Sequence, residues 1–191
     1  MSTRGILSLF VLAVLGACAA VIVPLEHKYA TDPVQKAARG EVTALGDISM
    51  LRADNAQKAL DTVRAKSPSE SLVQDLTLRP TRADISVVVP ADGSEHRWSV
   101  DVAFGAGEDK SDATSDYGVT FRRLDMTVPE RITRAVLAQL HRPEADVDYV
   151  TTIISSDKST PMRWELFLQH GRIRDRTWLA NADGSDLHRN G

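Results

Sequence analysis

Behind one unbroken apolar block, the apolar positions of this chain follow two rhythms. The block runs from Gly5 to Leu25, GILSLFVLAVLGACAAVIVPL, 21 residues without a charged side chain. A run of that length is stable in hydrocarbon as an α-helix rising about 1.5 Å per residue, so it predicts a transmembrane helix. From Asp54 to Lys66, Ala56, Ala59, Leu60 and Val63 recur at spacings of three and four, the mark of a helix with one buried stripe. The period then changes to two. Val73 to Leu78 and Asp84 to Val89 read as strands, Pro90 to Ser94 turns the chain, and His96 to Phe104 returns with Trp98, Val100, Val102 and Phe104 on one face.

Gly105 to Gly118, GAGEDKSDATSDYG, is small, polar and acidic, and reads as a linker and boundary. Val119 to Leu124 either adds a strand to the first half or leads into the second. Thr127-Val128-Pro129-Glu130 has the form of a capping box opening a helix, with Ile132, Ala135, Val136 and Leu140 as its stripe and Arg142-Pro143 as its stop. Strands are expected at 147–155, 161–169 and 172–180. The predicted fold class is α+β: an N-terminal transmembrane helix followed by two helix-plus-antiparallel-sheet units, a tandem α-β-β-β arrangement. The expected divisions are a signal anchor at 1–25, a stalk at 26–47, a first unit at 48–118 and a second at 119–191. Leu51, Leu60 and Val63 match Val128, Leu137 and Leu140 at a constant offset of 77, whereas ADGS at 91–94 and 182–185 repeats at 91, which turn chemistry explains without common descent.

Cys18 divides the readings of the leading block. Leu15-Gly16-Ala17-Cys18 is a relaxed lipobox, which would make Cys18 an acylated first residue, and Ala17-Cys18-Ala19 also has the small-x-small form of an ordinary cleavage site. Apolar residues continue past either cut as far as Leu25, which favours an uncleaved anchor with the N-terminus inside and the body outside the cytoplasmic membrane. The membrane is thus the expected partner of this segment.

Charge narrows the function classes. Residues 26–120 carry 11 Lys+Arg against 16 Asp+Glu, and residues 121–191 carry 11 against 10, so neither half has the basic excess of a nucleic-acid binder. The only cysteine lies in the leading block, which removes disulfides, thiolate metal sites and thiol chemistry from the body.

The helix Pro129 to Leu140, the strand Trp164-Glu165-Leu166-Phe167-Leu168, the hairpin His170-Gly171 and the closing Asn181-Ala182-Asp183-Gly184 resemble a PepSY-type module, the helix-plus-sheet repeat of bacterial envelope proteins. The resemblance covers the last 65 or so residues, and the first half by analogy. It implies binding rather than catalysis, with no residue roles to carry over.

Arg172, Arg174 and Arg176 alternate along the expected last strand and share a face with Trp178, a stripe suited to an anion, a lipid headgroup or an acidic partner. The alternative is an ordinary charged edge. His141, Glu144, Asp146 and Asp148 are metal-ligand types clustered where a helix gives way to a strand, a place where polar residues are expected anyway. No cofactor fingerprint, metal motif or nucleophile elbow occurs, so no cofactor is expected. The sequence points to a non-catalytic binding or assembly module of the cell envelope, with an envelope protein or peptide as partner. An envelope hydrolase is the competing reading, and it requires two or more of His141, Asp148, His170 and Asp175 to meet in one pocket.

Overall fold

The computed structural model describes residues 33–190 apart from 103–104, 114 and 158. The expected membrane segment and Cys18 lie outside the described residues. Among those residues no helix is long and apolar enough to cross a membrane. The chain divides into two units, Met1–Glu41 and Val42–Gly191. In the first, helix α1 (Pro33–Ala38) closes through hydrogen bonds from Gly40 N–H to Ala37 O and from Glu41 N–H to Lys36 O, with Gly40 at φ 67°. Residues 42–47, which the sequence assigns to a stalk, belong to the second unit, where Ala44 is fully buried.

The second unit overturns the expectation of two separate helix-plus-antiparallel-sheet units in tandem. It is built on one eight-stranded antiparallel sheet in the order β4-β3-β2-β1-β5-β6-β7-β8. The strands are β1 (Leu72–Leu78), β2 (Arg82–Val89), β3 (Ser94–Asp101), β4 (Ala106–Asp112), β5 (Val147–Ile153), β6 (Arg163–Leu168), β7 (Thr177–Asn181) and β8 (His188–Arg189). The reason lies at the middle of the sheet, where β1 pairs with β5 and joins what the sequence presents as two halves. Helices α2 (Ala53–Lys66) and α3 (Thr127–Leu140) pack against each other, and a single core runs from Ala56, Leu60 and Val63 of α2 to Ile132 and Val136 of α3. Across the sheet it continues through Leu76, Ile85, Val150, Trp164 and Trp178. Trp164 and Trp178 are fully buried, and each indole N–H donates to a backbone carbonyl, Ala182 O at 3.1 Å and Asp175 O at 3.0 Å.

Several local expectations give way to turn and edge chemistry. The polar interval Gly105 to Gly118 contains β4, which buries neither face and therefore has no apolar alternation. Residues 119–124 form no strand: Val119 makes an isolated bridge and Phe121–Arg123 is a 3-10 turn. Residues 172–176 include the helical turn α4 (Ile173–Arg176) before β7 begins. The capping box does not close either. Asp125 Oδ1 accepts from the Thr127 N–H at 2.9 Å and the Thr127 hydroxyl at 2.7 Å, while Glu130 turns to α2. Both ADGS segments are turns in which the Asp carboxylate accepts the N–H of the Ser two residues on, with Gly93 at φ 67° and Gly184 at φ 78°.

Candidate functional site

The helices cover one face of the sheet, and the other face is polar. On β2, β5 and β6 the residues between the core positions point there: Asp84 and Ser86 between Ala83, Ile85 and Val87, Thr151 between Val150 and Thr152, and Glu165 between Trp164 and Leu166.

The seam between β1 and β5 shapes this face. The two strands share only two pairs, Thr77↔Thr151 and Leu78↔Val150. Beyond them the backbones diverge, and threonine side chains replace the missing ladder. Thr152 Oγ1 accepts the buried Leu76 N–H at 3.0 Å, and the Thr151 hydroxyl donates to Leu76 O at 3.1 Å. Further along, Val73 exchanges both backbone hydrogen bonds with Val119, at 2.7 and 2.8 Å, so the chain leaving β4 occupies the place a continuing β5 would take. Gly118 permits this approach, because a Cβ there would stand 2.7 Å from Val73 O. Gln74 of β1 hydrogen-bonds to Ser115 of the same crossing segment.

The divergence leaves a groove of about 870 Å³ in the open face. Among the described residues Asp75, Asp84, Glu95, Asp109 and Glu165 line it, with Arg97 the one lining cation. Its apolar contribution includes Tyr117, Ile154 and Ile153, the last 41% exposed. Three of the carboxylates are engaged or screened: Asp84 with Arg79 and Arg82, Glu95 with Ser86 and Arg97, and Asp109 by the charge of Arg97. Hydrogen bonds from Arg97 and Ser86 hold the Glu95 carboxyl below its ordinary value, although it is only 4% exposed.

Asp75 and Glu165 differ. Asp75 is exposed, yet the protein packed beside it at the seam desolvates its carboxyl and raises it above its ordinary value. The Thr77 and Thr151 hydroxyls, each 3.4 Å from one of its oxygens, pull back part of the rise, and the charge of Asp84 adds to it. Desolvation likewise raises Glu165, opposed by a hydrogen bond from Asn190. Beside the groove on the same face, Tyr149 stacks on Phe167 at 4.4 Å between centroids, with the Arg79 guanidinium 5.2 Å over the Tyr149 ring.

The residues singled out in the sequence lie elsewhere. The stripe of Arg172, Arg174, Arg176 and Trp178 does not form, because 172–176 is not a strand. Trp178 is buried beneath Arg189, while Arg176 Nε donates to Gly171 O. Glu144 accepts the Thr43 hydroxyl at 2.6 Å and the Leu45 N–H at 3.0 Å, pinning the loop before α2. Asp146 pairs with Arg142 at 2.8 Å and His170 at 3.3 Å, and Asp175 pairs with Arg189 at 2.9 Å. His141 ends α3 in a left-handed conformation at φ 51°. Among the described residues no group of three or more His, Cys, Asp or Glu is placed to hold a metal ion. None of His141, Asp148, His170 and Asp175 lines the seam groove. Sequence reasoning missed Asp75, Glu165 and Tyr117. The signal for the first two is present, a carboxylate at an outward position between buried neighbours, but the strand pairing that gathers them is not.

No family model matches the chain, and no curated protein matches it. Among solved structures, the fold is similar to that of a “putative lipoprotein” from Clostridium difficile 630, at 10% identity and a TM-score of 0.50, over 78% of this chain and 99% of that one.

Proposed function

We propose that this protein is a non-catalytic, extracytoplasmic binding module of the bacterial cell envelope that receives a basic, partly apolar peptide segment of a partner protein in the seam groove. The observation that carries the reading is the groove itself. A sheet that could have been zipped shut is held open by Val119 and three threonines, and the opening presents Asp75 and Glu165, which form no ion pair among the described residues, beside exposed isoleucine. Charge of that sign, next to apolar surface, complements lysine- or arginine-bearing segments with aliphatic neighbours. In this reading the body is tethered by acylation of Cys18, in keeping with Leu15-Gly16-Ala17-Cys18 and with the fold likeness to a protein described as a “putative lipoprotein”.

Two measurements test it. Titration of the isotope-labelled full chain in zwitterionic micelles with basic and acidic peptides of matched apolar content should move the amide signals of Asp75, Tyr117, Ile153 and Glu165 with the basic peptides only. Asp75→Asn with Glu165→Gln should weaken that binding by about tenfold. Equal response to acidic peptides, or none to any, overturns the groove assignment. The intact mass of the membrane-extracted protein tests the tether: a chain starting at Cys18 with added acyl groups is expected, and any other N-terminus refutes it.

A further inference from the structure

A second recess, of about 600 Å³, lies where α2 ends and β1 begins. Arg64 of the last helical turn, the Ser67-Pro68-Ser69 turn and Ser71 line it from one side, and Thr120, Phe121 and Arg122 from the other. Its charge is opposite to that of the seam groove: the described lining residues supply two guanidinium groups and four hydroxyl side chains, and the nearby Glu70 carboxylate meets only the Ser69 hydroxyl among them. Arg64 and Arg122 are exposed, and neither forms an ion pair with any described residue.

Two of the hydroxyls are already committed. Ser67 donates to Val63 O at 2.9 Å, and Ser69 donates to Glu70 Oε2 at 3.1 Å. Ser71 is different, because it is 2% exposed and its hydroxyl oxygen has no hydrogen-bond partner among the described residues. Leaving such a group unsatisfied costs about 1–3 kcal/mol, so an unpaired buried hydroxyl in a recess walled by arginines calls for an acceptor. Guanidinium groups offer forked donors that match tetrahedral oxyanions, and hydroxyls complete such sites as single donors.

From this geometry we propose that the recess is a binding site for a phosphoryl oxyanion, held by Arg64 and Arg122, with Ser71 and Thr120 donating to it. The volume exceeds that of a bare phosphate, which leaves room for the group the phosphoryl is attached to. Two sources share this chemistry, a soluble phosphate compound and a lipid headgroup. The proposal is independent of the seam groove and of the state of Cys18.

The test is a titration of the isotope-labelled full chain in zwitterionic micelles with inorganic phosphate, against sodium chloride at matched ionic strength. In parallel, the same signals are followed in phosphatidylcholine micelles that contain or lack phosphatidic acid. Saturable shifts of the Arg64 and Arg122 Nε–H signals and of the Ser71 amide are expected with phosphate. Arg64→Gln with Arg122→Gln should weaken binding by about tenfold or more. Ser71→Ala, which removes one hydroxyl from a buried position, should weaken it by severalfold while Arg172→Gln leaves it unchanged. A response to phosphate identifies the soluble source. A response only in micelles that contain phosphatidic acid, lost in the same double variant, identifies the headgroup. No response in either arm, or equal binding by the double variant, overturns the proposal. Because both arginines are exposed, the double variant is expected to fold, and an unchanged thermal midpoint verifies it.

Discussion

Glu130 of α3 accepts a hydrogen bond from the backbone N–H of Ala53, the first residue of α2, through Oε2 at 2.9 Å. The helix that Glu130 caps is therefore not its own. Helix α2 has Arg52 at its N-cap position and no side-chain cap from its own residues, and the same carboxylate also pairs with Arg52 at 3.5 Å and Arg134 at 2.7 Å. Glu130→Ala should cost about 1–2 kcal/mol in urea unfolding, the range for a lost cap. The pH dependence has a definite sign. Burial pushes the Glu130 carboxyl up, but the Ala53 bond and the two arginines outweigh it and hold the group below the ordinary 4.5. Its contribution is present above that value and is lost as pH falls through the lower folded value, so wild type and variant should converge in acid.

Thr152→Val keeps the shape of the side chain and removes the acceptor for the Leu76 N–H. That N–H is buried, and leaving it unpaired should destabilise the body by about 1–3 kcal/mol. Thr77→Val, which loses the 2.8 Å bond to the half-buried Thr151 and the long 3.4 Å contact with exposed Asp75, should cost about 1 kcal/mol or less. Denaturant unfolding ranks the two, and faster hydrogen exchange at Leu76 in Thr152→Val alone locates the effect.

Gly118→Ala should destabilise by about 1–3 kcal/mol, because the new methyl meets Val73 O at 2.7 Å and Leu72 Cβ at 2.8 Å, and the backbone there cannot yield cheaply. Gly107→Ala in β4 is the control. Its nearest neighbour, Ser99 O, is 3.9 Å away, so the thermal midpoint should stay within a degree or two of wild type.

Desolvation raises the folded-state carboxyl of Asp75 above its ordinary 3.8, so the folded protein binds that proton more tightly than the unfolded chain does. Stability therefore falls as pH rises from 3.8 through the folded value, and the penalty persists at neutral pH. Asp75→Asn should raise the thermal midpoint at pH 7 and lose that advantage in acid. A lower midpoint at pH 7 would show that the charged form is favoured after all. Binding of a basic peptide in the groove should weaken on acidification at a pH above the ordinary carboxylate range, where Asp75 and Glu165 take up protons.

How much of this was legible in the sequence depended on whether the signal was local. The stripe of Ala56, Ala59, Leu60 and Val63 marks α2 because a helix must bury one side, and all four are buried. The period of two likewise marks β1, β2, β3 and β6, whose alternate residues enter the core. Strand β4 left no trace, since both of its faces are solvated. The arginines at 172, 174 and 176 imitate strand alternation while occupying a helical turn, which short segments cannot distinguish. The union of the halves was illegible for a different reason. It rests on two residue pairs separated by more than 70 positions and on threonine hydroxyls acting as backbone, none of which any local window contains. The groove shared that fate, because it exists only where that pairing stops.

The two rims of the sheet carry a consequence for behaviour at high surface density. One rim, β4, has six exposed residues out of seven, including Glu108, Asp109, Lys110 and Asp112, and the other, β8, is two residues long. A strand from a neighbouring copy would find mixed charge to bury on the first and almost no length to register on the second. Runaway templating into fibrils needs long, uncharged edges that repeat from copy to copy. Molecules crowded side by side can therefore remain separate folded bodies.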